Sequence, residues 1–145
     1  MEFVSKTELR VRYAETDRMG IVHHSRYYPW FEIARGDFIK AGGMSYQEIE
    51  SKGVLLPLTE TGAKYLEGLT YDEEAVILCR LAELSVARCM FTYAVYRKRD
   101  NKLMTTGMTR HGFVDQDFRP INLKKKHPEI WAVIAGLYQD GGEKL

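Results

Sequence analysis

Residues 7–13 alternate Leu9, Val11 and Tyr13 with Glu8, Arg10 and Arg12. A period of two marks a strand with one buried face, so the chain is predicted to open on a strand. The polar run 14–20 ends in Gly20 and reads as a loop. From Tyr27 the period changes. Tyr27, Trp30, Phe31, Ala34, Phe38 and Ala41 recur at spacings of three and four, which puts them on one face of a buried helix that stops at Gly42 and Gly43. Ser25 offers this helix a cap while Pro29 suits a first helical position, so its opening turn is expected to be irregular. Ser45 with Glu48 three residues later is a capping-box pattern and predicts a short helix over 46–52.

Four strand-like segments follow Gly53, at about 55–65, 75–85, 88–98 and 103–114. Thr92, Tyr93, Val95 and Tyr96 are types that suit a pleated sheet, and Asp100-Asn101 is a turn signal. Short links imply largely antiparallel hairpins. Ile130, Trp131, Ile134, Leu137 and Tyr138 share a helical face over 128–138, ahead of a frayed tail at 141–145. One very apolar helix with a run of strands implies an α+β arrangement in which a sheet curls around that helix. The sheet edges call for cover, and an identical sheet in a twofold dimer supplies it.

The length of 145 residues fits a single domain spanning 1–145. Twenty-one Lys and Arg against twenty Asp and Glu leave a net charge of +1. That balance argues against nucleic acid or membrane as the main partner and makes any anion site local. The run Lys124-Lys125-Lys126 reads as a solvated helix start. Residues 1–6 lack the features of a signal peptide, and no run of about twenty apolar residues occurs, so a cytoplasmic location is expected. Cys79 and Cys89 lie outside any CxxC spacing and read as small buried apolar residues.

Candidate chemistry concentrates in residues 13–27, between the first strand and the long helix. Asp17 there lies near a helix start, whose unpaired amides suit an oxyanion. His23 and His24 are adjacent with no third ligand in view, which makes a poor metal site. The pattern Tyr-x-x-Thr-Asp-x-x-Gly-Ile-Val-x-His-x-x-Tyr, Tyr13 to Tyr27 here, is followed by Phe-Glu-x-Ala-Arg, Phe31 to Arg35. It resembles the 4-hydroxybenzoyl-CoA thioesterase family of hotdog proteins. Tyr65-Leu66, Phe113-Val114-Asp115 and Arg119-Pro120 extend the resemblance along most of the chain. Gly68, where that family usually has proline, and Pro29 depart from it.

The resemblance implies a hotdog fold, hydrolysis of an acyl-CoA substrate with no cofactor, and a homodimer or dimer of dimers with sites at the subunit interface. It also implies Asp17 as the essential carboxylate and the backbone N–H at His24 as the group that polarises the thioester carbonyl. Tyr13, Gly20, Val22 and Tyr27 become candidates for the substrate pocket. Glu60 joins them because other hotdog thioesterases use a glutamate from the facing subunit. His111 reads as structural.

The chemistry is consistent with so few groups. A thiol leaves readily because its pKa lies near 8.5, so no general acid is required. Asp17 can act as nucleophile, through a mixed anhydride, or as general base on water. Release of an acyl group from a carrier protein and non-catalytic acyl binding are the alternatives; a hotdog dehydratase would use a different His and acid arrangement. Arg88, Arg97, Lys98, Arg99 and Arg110 are candidates for CoA phosphates, or simply a solvated strand face.

Overall fold

The helix predicted from the apolar spacing lies at the centre of the molecule. In the computed structural model, which describes residues 3–139, it runs Tyr27–Lys40 (α1) and buries Tyr27, Trp30, Phe31, Ala34, Phe38 and Ile39. Ala41 caps its end and is exposed, so the last position of the predicted stripe leaves the core. The irregular start is a 3-10 turn, His24–Arg26, capped by neither Ser25 nor Pro29. His23 caps it, its ring accepting from the Ser25 amide. Pro29 falls in the first turn of α1, where a missing N–H costs no helical bond.

Five antiparallel strands wrap this helix: β1 (Ser5–Arg10), β2 (Leu58–Tyr65), β3 (Glu74–Leu84), β4 (Arg88–Arg97) and β5 (Lys102–Gly112), in the order β1-β3-β4-β5-β2. Ala75, Ile77, Cys79 and Leu81 on β3 alternate inward with Cys89, Phe91, Tyr93 and Val95 on β4. α1 packs onto this floor, with Phe31 stacked on Tyr93 at 4.4 Å and Phe38 edge-on to Phe91 at 5.6 Å. Both cysteines are free and buried, as their spacing suggests.

Three strand expectations need correction. β1 keeps the predicted phase, with Thr7 and Val11 buried, but it ends at Arg10 because Tyr13–Glu15 fold into a 3-10 turn. The links β3–β4 and β4–β5 are hairpins, whereas β2 pairs with β5 at the far edge and residues 66–73 cross back to β3. The place beside β3 is taken by β1. The predicted start at residue 55 is a single bridge, Leu55 to Val114.

Shorter elements close the ends. α2 (Tyr46–Ser51) has the predicted cap, Ser45 Oγ accepting from the Glu48 amide at 3.2 Å. The lysine run forms most of α3 (Leu123–Lys126), capped by Asn122, and α4 (Pro128–Gln139) packs Ile130 and Ile134 into the core. Residues 141–145, read above as a frayed tail, lie outside the described residues. Among the described residues no helix is long and apolar enough to cross a membrane.

Candidate active site

Residues 13–24 fold around a buried acid. Glu15 is 4% exposed, and its carboxylate accepts from the Trp30 indole at 2.7 Å and the Arg12 amide at 2.8 Å. Burial pushes this carboxyl up, but the donors from Arg12 and Trp30 outweigh it and hold the group below the usual range. Its backbone carbonyl accepts from the His23 amide at 2.8 Å. Glu15 thereby joins the two ends of the loop to each other and to Trp30 of α1.

Inside that frame the chain makes a tight turn from Asp17 to Gly20. The Gly20 amide donates to the Asp17 carbonyl at 2.9 Å, and the Asp17 amide donates to the Ile21 carbonyl at 2.8 Å. Gly20 has φ of +85°, a conformation that side chains strongly disfavour. The Met19 amide donates to Asp17 Oδ1 at 2.8 Å. Val22 and Ile21 then pair with the crossing segment, through Val22 N–H to Leu69 O at 2.9 Å and a bridge from Ile21 to Thr70.

Asp17 lines a cleft of about 360 Å³ together with Met19, Ile21, Val22, His24, Tyr27 and residues 65–68. The His24 amide opens the 3-10 turn that leads into α1, while the next two amides are taken by His23. A helix leaves its first amides without an internal partner. The two neighbouring imidazoles lie 4.1 Å apart, and the Tyr65 hydroxyl donates to the His24 carbonyl at a long 3.4 Å. Burial, and then the nearby Tyr28 hydroxyl, push the Tyr65 phenol up to about 12, so it remains a donor. Tyr27, 2% exposed, forms the floor beside Trp30, with its phenol raised by burial.

The structure brings Asp17, His24, Val22 and Tyr27 to one cleft, with Gly20 in the turn that forms it. Tyr13 is elsewhere. It is 78% exposed and packs edge-on against Tyr71 at 5.8 Å, because the 3-10 turn carries it out of the strand phase. Glu60 does not reach this cleft within its own chain; it lies on the edge strand β2, 3.4 Å from Arg110. Met19, Ile21, Tyr65, Leu66 and Glu67 line the cleft without having been singled out as site residues from the sequence. The exposed Tyr-Leu pair at the end of β2 was the available signal, with Tyr65 46% and Leu66 55% exposed.

A larger concavity, about 740 Å³, lies on the outer face of the sheet around Leu78, Ala94 and Met108. No carboxylate or histidine lines it, so it offers no counterpart to Asp17. Most of the proposed phosphate contacts are already engaged: Arg97 with Asp100, Lys98 with Glu8 and Glu74, Arg99 with Glu73, and Arg110 with Glu83. Among the described residues no cluster of three His, Cys, Asp or Glu could hold a metal ion.

This chain of strand, acid-bearing turn and central helix has relatives. Residues 11–135 match the thioesterase-like superfamily. The chain belongs to that superfamily. Membership places it among the hydrolases. A Bacillus subtilis relative, YneP, assigned provisionally as an acyl-CoA thioesterase, is 37% identical over 127 residues, 87% of this chain and 91% of its own. Among solved structures, a DHNA-CoA thioesterase from Staphylococcus aureus superposes with a TM-score of 0.86 at 32% identity, covering 98% of each chain. A Thermus thermophilus protein, TT1821, superposes at 0.84 with 36% identity, over 93% of this chain and 98% of its own. The sheet wrapped around α1 is thus the hotdog thioesterase fold. The resemblance read from the motif holds at the level of the superfamily.

Proposed function

We propose that this protein hydrolyses acyl-CoA thioesters to a free acid and CoA. The observation that carries the reading is the Asp17 carboxylate, which lines a cleft with an apolar floor beside the amide that opens the turn into α1. The thioester carbonyl oxygen would accept from the His24 N–H, and Asp17 would either attack the carbonyl carbon or take a proton from an attacking water. The carbon–sulfur bond then breaks and CoA leaves as a thiolate; where Asp17 is the nucleophile, water then opens the mixed anhydride, releasing the acid and restoring the carboxylate. Because the oxyanion donor is a backbone group, side-chain exchange at position 24 does not remove it.

A shared site between two copies belongs to the same proposal. Met19 is 77% exposed and Leu66 55% at the mouth of the cleft, and β2 presents an open strand edge. Exposed apolar side chains gathered around a pocket fit cover by a partner better than contact with water. Glu60, on that edge strand, would then act from the facing subunit.

The test is a panel of acyl-CoAs with a free-thiol readout, run on the native protein and on Asp17→Asn, with the same acyl groups on a carrier protein in parallel. Turnover of CoA thioesters that is lost in the folded variant supports the reading. Equal turnover in both proteins defeats it, and preference for the carrier-bound acyl group would reassign the substrate. Light scattering that found an active monomer would end the shared-site part.

A further inference from the structure

Gly68 holds an unusual contact in the wall of the cleft. A Cβ built on it would lie 2.5 Å from Ile21 Cγ2, 2.8 Å from Ile21 Cβ and 2.9 Å from Ile21 Cδ1. Carbon atoms meet at about 3.5–4.0 Å, so the isoleucine sits in the space that any other residue's side chain would fill. A new rotamer at position 21 cannot relieve this, because the Cβ is fixed by the backbone. Gly68 has no left-handed φ, so its need for glycine comes from this contact alone.

Neither partner is free to retreat. The amides of Leu66 and Glu67 both donate to the Met104 carbonyl, at 2.9 and 3.1 Å, and Leu69 is fully buried with its carbonyl bound to the Val22 amide. The backbone is therefore pinned on both sides of Gly68. The Ile21 carbonyl accepts from the Asp17 amide and the residue bridges to Thr70, so a push on Ile21 is delivered to the turn that carries Asp17. Ile21 is also a wall of the cleft, with Asp17, Val22 and Leu66.

We infer that the bare backbone of Gly68 seats Ile21 and that this pair sets two properties of the site: the position of the Asp17 turn and the size of acyl group admitted beside it. Gly68 is the positioning residue; Ile21 is the wall that meets the acyl chain. The inference rests on the thioesterase reading and deepens it.

Five proteins test it: native, Gly68→Ala, Ile21→Ala, Ile21→Gly and the swap that combines Ile21→Gly with Gly68→Ala, which moves the Cβ from one side of the contact to the other. Each is assayed for kcat and KM on acyl-CoAs of increasing acyl size and melted to confirm folding. Gly68→Ala should lower kcat about tenfold or more across the series with a smaller change in KM, as displacement of a reacting group does. Ile21→Ala should shift the kcat/KM ratio of large to small acyl groups upward by about tenfold, the scale of a few missing carbons in a pocket. The swap should regain most of the lost kcat. A native-like profile in both Gly68→Ala and Ile21→Ala overturns the inference, as does a folded swap no faster than Gly68→Ala. If native protein hydrolyses no thioester, the functional reading falls and the melts alone judge the seating: a swap less destabilised than the sum of Gly68→Ala and Ile21→Gly supports it, and additive losses overturn it.

Discussion

Around His111 polar groups are buried and matched, while around Asp17 they are left open at the surface of a cleft. The buried set forms a directed chain. Arg35 donates to the Tyr93 hydroxyl at 3.1 Å, Tyr93 contacts Thr109 Oγ1 at 2.6 Å, Thr109 contacts His111 Nε2 at 2.9 Å, and His111 Nδ1 meets the Leu56 carbonyl at 3.1 Å. Every hydroxyl in the chain both donates and accepts when it runs from the guanidinium to the carbonyl, an arrangement that pairs with neutral His111 carrying its proton on Nδ1. Burial, and then the charge of Arg35, hold its pKa down to about 4. In the cleft, Asp17 Oδ1 takes one amide and the His24 ring stands exposed. A satisfied network fixes a structure; a carboxylate with room for further partners beside the amide that opens a helical turn is available to a ligand.

The sharpest break in this comparison is Asp17→Asn, which should lower kcat at least about 100-fold, the lower range for loss of a general base. Its melting temperature should stay close to native, and a large drop there would mean that Asp17 belongs to the structural class instead. The buried chain should show the reverse through pH. Because the folded pKa of His111 is depressed from 6.5 to about 4, the unfolded chain binds the extra proton first as pH falls. The stability from this group is full above pH 6.5 and is lost progressively between about 6.5 and 4. The loss is on the order of 3 kcal/mol and would be read from denaturant midpoints across that window. A His111→Phe variant that kept the same slope would show another group responsible.

Tyr93→Phe should cost about 1–3 kcal/mol, because it removes an acceptor from Arg35 and a donor to Thr109 inside the core. Turnover per folded molecule should hold, since Tyr93 does not line the cleft. The smallest effect is expected for His24→Ala. If the donor at this position is the amide, kcat falls less than about tenfold, below what loss of an oxyanion donor typically costs. A fall as large as that of Asp17→Asn would assign the imbidazole ring itself to the chemistry.

Most of the fold was legible because it rests on local periodicity. The apolar stripe of α1 held to within one residue, and β4 formed where Thr92, Tyr93, Val95 and Tyr96 suit a pleated sheet. The motif around Asp17 was legible as well, since turn, acid and helix start are contiguous in the chain. What failed needed long-range knowledge. Tyr13 sits in phase with the first strand, yet Glu15 is drawn under Trp30 and turns Tyr13 outward. β2 lies at the far edge while β1 occupies the position beside β3, a pairing between segments some seventy residues apart.

By itself the sequence determined which segments form strands and helices, and which short stretch carries an acid into a turn. Tertiary structure decided what faces that acid. Tyr65 reaches the cleft through the pairing of β2 with β5, Leu66 and Gly68 through the crossing segment that pairs with Val22, and the contact of Gly68 with Ile21 spans 47 positions of chain. Periodicity reports burial of a face, since burial is set by residues a turn or a pleat apart. Which faces meet is set by how the whole set of elements packs, and no local spacing contains that.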